Sequence, residues 1–169
     1  SNQSHGDGVG GIMAGAGNLV PQYRGMAAGT DVYVVNYVSD FLDTPTLTLI
    51  NDGSVQITNS SYSNGCNAGY TSITETVDQQ TLDIPTLLHV FSAGNSNNNN
   101  CGYGAGNQWG NITGGHKQGK NVIATANVFY DGSLVNSSSR GPAHDGRIKP
   151  DIAANGQNQI STNENNTYQ

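Results

Sequence analysis

The chain has 169 residues, a length that suits one domain with a single core, and its twelve Asp and Glu against six Lys and Arg give a net charge of -6. The low charged fraction of 11% and the scattered cations exclude a binding face for nucleic acid or for an anionic membrane. No apolar run approaches the roughly 20 residues of a membrane span, and the first residues lack the cationic and apolar pattern of a signal segment.

Apolar periodicity alternates between helix and strand along the chain. The stretch "GVGGIMAGAG" predicts a helix of small residues over 8–17, and "GTDVYVVNYV" predicts an apolar strand over 29–38. Further strands are predicted at "VQITNSSY", "TLLHVFSAG" and "KNVIATANVF", with an amphipathic helix at "SITETVDQQTLD" between the first two of these. Strands separated by helices indicate an α/β fold with a mostly parallel sheet, whose ligand site lies at the carboxyl ends of the strands.

The two cysteines, Cys66 and Cys101, both lie in loops rich in Gly and Asn. They are too few for a cysteine-based zinc site, and nothing basic lies near either residue in the sequence to lower a thiol pKa. A disulfide, two structural thiols and a reactive thiol are the alternatives, and we predict the disulfide. The tract "NSNNNN" over 95–100 predicts a solvated loop, with a cation-binding loop of Asn carbonyls as its alternative.

Three segments occur in the order typical of one enzyme family. "SHGDGVGGIMAG" is similar to the histidine motif H-G-T-H-V-A-G of subtilisin-like serine proteases, and "FSAGN" resembles their A-A-G-N motif. "SSSRGPAHDGRIKPDIAANG" resembles the long family stretch F-S-S-R-G-P-x-x-D-G-R-I-K-P-D-V-x-A-P-G. "GMAAGTDVYVV" and "TNSSYSNG" resemble the G-M-A-P segment and the N-x-S-x-G strand that lie between them.

The resemblance covers residues 1–169 and implies the central part of a subtilisin-like peptidase domain, with the large secreted alkaline-protease branch as the most similar group. It implies a three-layer α/β fold and a secreted, extracellular serine endopeptidase that cleaves polypeptides with a Ser-His-Asp triad and needs no cofactor for the chemistry. A structural calcium ion is a further expectation, since exported relatives commonly bind one, although no clustered acidic loop occurs here.

The resemblance assigns the catalytic base to His5 and the oxyanion donor to Asn95. His5 lies between glycines that let another group approach its ring closely, and Asn95 follows an apolar strand and Gly94. A loop histidine without a role and an ordinary turn asparagine are the alternatives.

The resemblance also assigns two substrate-binding segments. Ser61, Tyr62 and Ser63 would pair with an extended peptide as an added strand, with ordinary packing as the alternative for Tyr62. A second set of three residues would line the pocket for the side chain before the scissile bond: Ser92, Ala93 and Gly94.

The other histidines and the late cations have simpler interpretations. The sequence predicts His89 as a core residue and His144 as a surface loop residue, while His116 either approaches the specificity pocket or has no role there. Cations alternate with aspartates around two prolines in "RGPAHDGRIKPD", which indicates an ion-paired, rigid turn formed by Arg140, Arg147 and Lys149 with Asp145 and Asp151.

The sequence departs from the family pattern in two ways. Asp7 and Gly8 replace the Thr and second His of H-G-T-H, and Asn155 stands where the last family stretch has Pro. The strand with the catalytic Asp and the G-T-S-M-A-x-P motif with the catalytic Ser do not occur in these residues. We therefore expect the isolated chain to be an inactive central segment that self-associates or pairs with the rest of the domain. A non-catalytic homologue that acts as a binding or scaffold module, and a structural or adhesion domain, are the alternatives.

Overall fold

The computed structural model describes residues 3–35, 44–62, 65–66, 69–163 and 167–168. Two compact units divide the chain. Unit 1 consists of Ser1–Val34 with Asn158–Gln169, and unit 2 consists of Val35–Gln157.

Unit 1 contains helix α1 (Gln3–Ala14), a short 3₁₀ helix (Pro21–Tyr23) and the antiparallel pair β5 (Thr162–Asn163) and β6 (Thr167–Tyr168). The hydroxyl of Ser161 donates to the backbone carbonyl of Gly8 at 2.6 Å, and the hydroxyl of Thr162 donates to the backbone carbonyl of Asp7 at 2.7 Å. A side chain at Gly11 would collide with both hydroxyl-bearing residues, which explains a glycine inside this helix.

Unit 2 contains four parallel strands in the order β1 (Ile57–Ser60), β2 (Leu88–Ser92), β3 (Ile123–Val128) and β4 (Ile152–Asn155). Helix α2 (Thr44–Asn51) precedes β1, and helix α3 (Ser72–Asp83) connects β1 to β2. The predicted α/β class with a parallel sheet is confirmed.

The core of unit 2 lies between α3 and the sheet. Val77 of α3, Phe91 of β2 and Val122 before β3 form its buried apolar cluster. Residues 111–119, in the connection from β2 to β3, are all buried and include a second 3₁₀ helix, His116–Gln118. This connection places polar side chains beneath the ends of the first two strands.

Some predicted elements differ in the structure. Residues 31–35 of the predicted strand over 29–38 form no strand, and the side chains of Val32 and Val34 are 43% and 90% exposed; residues 36–38 lie outside the described residues. A segment with an alternating apolar pattern forms a strand only when a neighbouring strand pairs with it. Among the strands that the structure describes, none pairs with residues 29–35. Helix α1 begins at Gln3 and ends at Ala14, instead of spanning 8–17.

Two elements, α2 and β4, were not predicted from the sequence. Helix α2 has three threonines in eight residues, and β-branched residues weaken a helical signal. Strand β4 has only four residues, too short for a periodic pattern to be clear. No helix in the described part of the chain is long and apolar enough to cross a membrane.

Candidate active site

The carboxyl ends of β1 and β2 bring the two predicted substrate-binding segments together. Ser60 and Phe91 are register partners in the parallel pair, so the segments that follow both strands leave the same edge of the sheet. The Ser92 hydroxyl donates to the backbone carbonyl of Tyr62 at 3.3 Å. Ser61 and Tyr62 are half-buried there, and Ser63 lies outside the described residues.

A tight turn after β2 positions Asn95. Gly94 has a φ of +115°, and its carbonyl accepts a hydrogen bond from the backbone N–H of Ser139 at 2.8 Å. The hydroxyl of Ser139 accepts a second hydrogen bond from the N–H of Ser96 at 3.0 Å. The turn is thus held on both sides of Asn95, whose side chain is exposed at the end of the sheet.

Lys117 lies beneath both segments and is fully buried. Its ammonium group donates to the Tyr62 carbonyl, to the Ser92 hydroxyl at 3.4 Å and to the Thr113 hydroxyl at 3.2 Å. Burial lowers the pKa of Lys117 to about 8. Sequence reasoning missed this residue; the only signal was a lysine within the Gly-rich segment "GGHKQG".

His116, next to Lys117, is 2% exposed and packs against aromatic rings. Its ring centre lies 5.4 Å from that of Tyr62 and 4.6 Å from that of Phe91. Burial first, then electrostatic interactions with Lys117 and His89, lower the pKa of His116 to about 4, so the ring is neutral at pH 7. His116 therefore contacts one of the predicted substrate-binding residues.

His5 lies in unit 1, in the first turn of α1, and its side chain is exposed. Asn95 lies in unit 2. The helix entry that the resemblance implies for His5 is therefore present in the structure.

Outside the site, His89 is fully buried on β2 and His144 is exposed, as the sequence predicted for each. His89 contacts the Thr58 hydroxyl through Nδ1 at 2.7 Å and the Gln80 side-chain oxygen through Nε2 at 2.9 Å. The ring of His144 packs edge-on against Tyr103, with ring centres 4.6 Å apart.

The late cations form two ion pairs in the predicted turn. Arg147 pairs with Asp145 at 2.7 Å, and the buried Lys149 pairs with Asp151 at 2.6 Å. Arg140 differs from the prediction, because within the described residues its guanidinium forms no ion pair and instead lies 5.8 Å from the ring centre of Trp109.

The structure joins Cys66 and Cys101 in a disulfide, with their Cα atoms 5.3 Å apart. The bridge connects the loop after β1 to the loop after Asn95. Within the described ranges no group of three His, Cys, Asp or Glu side chains is arranged to hold a metal ion, so a calcium site stays an expectation.

The subtilase family model matches residues 1–169. The chain belongs to the subtilase family. This subtilase is similar to the solved structure of the prenylagaramide maturation protease PagA, with a TM-score of 0.69 and 17% identity over 98% of this chain and 56% of PagA. It is also similar to a mutant of the protease domain of PatA, with a TM-score of 0.51 and 14% identity over 73% of this chain and 40% of that chain.

The comparison with curated protein sequences gives no match. The subtilase chain spans about half the length of the solved structures named above. The TM-scores indicate a shared fold, whereas identities below 20% do not distinguish branches of the family. The assignment to the secreted alkaline-protease branch therefore stays a prediction.

Proposed function

We propose that this subtilase forms the central part of a secreted serine endopeptidase, in which it supplies the general base, the oxyanion donor and most of the substrate-binding surface. The observation that carries the proposal is the meeting of residues 61–62 and 92–95 at one edge of the parallel sheet. An extended peptide added to the end of β1 would have its scissile carbonyl near the turn at Asn95.

The chemistry needs a serine from the G-T-S-M-A-x-P segment of the whole protein. His5 accepts the proton of that hydroxyl as it attacks the peptide carbonyl, and then returns a proton to the leaving amine. The amide N–H of the Asn95 side chain donates to the oxyanion that forms on the carbonyl oxygen. Substrate is a polypeptide, and no cofactor takes part in these steps.

The test uses a longer protein, which extends the 169 residues in both directions to include the segments proposed to carry the catalytic Asp and Ser. We expect it to hydrolyse casein and to react with a fluorophosphonate, and the 169-residue chain alone to do neither, because acylation requires the serine nucleophile. His5→Ala should remove nearly all turnover, whereas His144→Ala, at an exposed histidine outside the site, should retain it.

Asn95→Ala in the longer protein should lower kcat by roughly 10²- to 10³-fold with little change in KM, as deletion of the oxyanion donor does in subtilisin. Asn98→Ala, at an exposed position in the same asparagine tract, is the matched control. A longer protein that folds but neither cleaves casein nor reacts with the fluorophosphonate would favour a non-catalytic binding module. Full activity of His5→Ala would refute the role of the histidine.

A further inference from the structure

Lys117 connects three separate elements of unit 2 through one ammonium group. The backbone carbonyl of Tyr62 follows β1, the hydroxyl of Ser92 lies on β2, and the hydroxyl of Thr113 belongs to the connection between β2 and β3. The hydroxyl of Thr113 in turn donates a hydrogen bond to the backbone carbonyl of Ala93 at 3.3 Å. Lys117 is thus bonded, directly or through one hydroxyl, to both segments that the proposed function assigns to substrate.

In the part of the chain that the structure describes, the hydrogen-bond partners of the Lys117 ammonium are neutral oxygens. Within the described residues no carboxylate forms an ion pair with it. Among the described residues, two titratable groups interact with it: His116 on its own 3₁₀ helix, which is neutral at pH 7, and the Tyr62 ring, whose centre is 5.7 Å from Nζ. Ser92 and Thr113 contribute hydroxyls only. Hydrogen bonds from an ammonium group to neutral oxygens are stronger than those between neutral groups.

The carbonyl of Tyr62 receives two donors, the Lys117 ammonium and the Ser92 hydroxyl. A carbonyl oxygen has two lone pairs, so both of its acceptor positions are taken. The backbone at Tyr62 is therefore held at a fixed distance from β2 and is not left to rotate toward a bound peptide. Burial of an ammonium group costs free energy, so a side chain that only filled the core would be apolar at this position.

We propose that Lys117 is a positioning residue for substrate, which holds the Tyr62 backbone and the segment 92–93 at the spacing that an extended peptide requires. The inference rests on the proposed function, since residues 61–62 and 92–94 bind substrate only if the chain is part of an endopeptidase. Lys117 itself touches no reacting atom. Lys117 affects substrate binding, and its contribution is the same in the ground state and the transition state. Its loss should therefore change KM and not kcat.

The proposal also predicts how substrate binding changes with pH. Lys117 is charged below a pKa of about 8 and neutral above it. A neutral amine has two donors and one lone pair, so one of the three hydrogen bonds to oxygen must be lost or reversed. KM of the wild-type enzyme should therefore rise by several-fold as pH increases from 7 to 9.5.

The experiment compares Lys117→Met and Lys117→Gln with Lys149→Met in the longer protein. Lys149 is the matched control because it is also buried and donates to the Val122 carbonyl and to Asp151, in the turn before β4. Lys117→Met should raise KM for casein about tenfold or more, with kcat changed less than about threefold, as expected for the loss of a charge-assisted hydrogen bond. Lys149→Met should leave KM unchanged.

Lys117→Gln keeps two N–H donors and has no charge, so its KM should be independent of pH between 7 and 9.5. Hydrogen exchange of the amides at 61–62 and 92–94 supplies a readout that does not depend on catalysis. Lys117→Met or Lys117→Gln should accelerate that exchange relative to Lys149→Met.

The outcomes separate the two proposals. If the wild-type longer protein does not hydrolyse casein, the proposed function fails, and the exchange measurement still decides whether Lys117 fixes these segments. If casein is hydrolysed but Lys117→Met has the wild-type KM, or Lys117→Gln shows the wild-type pH dependence, the positioning role is refuted. Should Lys117→Met not fold, hydrogen exchange of the amides at 61–62 and 92–94 in Lys117→Gln decides, together with the pH series on wild type and Lys117→Gln.

Discussion

Gly94 is the residue on which the position of Asn95 depends. Residues that have a side chain rarely adopt its φ of +115°. A Cβ atom at this position would also come 2.8 Å from the hydroxyl oxygen of Ser139, and closer still to the Thr113 side chain. Two separate costs therefore exclude any other residue: backbone strain and a collision with side chains that themselves hold the turn.

Gly94→Ala and Gly132→Ala separate these two costs. Gly132 also has a positive φ, +83°, but nothing lies within 4 Å of a Cβ built there. We expect Gly132→Ala to lower the free energy of unfolding by about 1 kcal/mol through strain alone, and Gly94→Ala to lower it by about 1 to 3 kcal/mol more through overpacking. Urea unfolding measures both. Equal losses would show that the crowding around Gly94 has no energetic effect.

The local positions of two candidate residues were predictable from the sequence, whereas their catalytic roles stay predictions. His5 and Asn95 lie in short segments whose glycines and flanking apolar residues are visible in the sequence, and the structure finds a helix entry and a strand end there. Lys117 was not predictable, because its three acceptors come from positions 4, 25 and 55 residues away. Only the folded chain brings those groups together.

At the scale of elements, a buried histidine connects β2 to its neighbours. His89 links β2 to β1 through Thr58 and to α3 through Gln80. Burial lowers the pKa of His89 to about 4, against a smaller opposite effect from Asp78. The neutral ring suits this place, since one ring nitrogen donates while the other accepts.

Acid should therefore destabilise the fold between pH 6.5 and 4. In that interval an unfolded histidine, with a pKa near 6.5, binds a proton that buried His89 and His116 do not, so unfolding takes up protons and stability falls as pH falls. Each histidine contributes at most about 1.4 kcal/mol per pH unit. His89→Gln should remove its share of this slope in urea unfolding at a series of pH values; a slope identical to wild type would contradict the prediction.

Elements were predictable where period, length and flanking residues agreed. The segments of β1, β2, β3 and α3 combine apolar periodicity with clear turn signals, and all four form as the sequence indicates. The prediction over 29–38 failed at 31–35 for a different reason, because a strand also needs a partner and the sequence does not reveal one.

At the scale of the whole chain, loops rich in Gly and Asn are abundant and apolar side chains are few. Only 34% of the residues are hydrophobic, and the long connection after β2 has few apolar side chains until residue 112. Such loops have high conformational entropy when unfolded, so a covalent link between them has more effect than another polar contact would.

The disulfide between Cys66 and Cys101 provides that link, over a sequence separation of 35 residues. Closing a loop of this size should stabilise the fold by about 3 to 4 kcal/mol, mainly by restricting the unfolded chain. The double variant Cys66→Ser, Cys101→Ser should therefore unfold at a lower urea concentration than oxidised wild type, and reduced wild type should match the double variant. Mass measurement after alkylation without reductant should find neither thiol modified in the oxidised protein. Two alkylated thiols, or an unchanged unfolding midpoint after reduction, would contradict a structural bridge between the loops that follow β1 and β2.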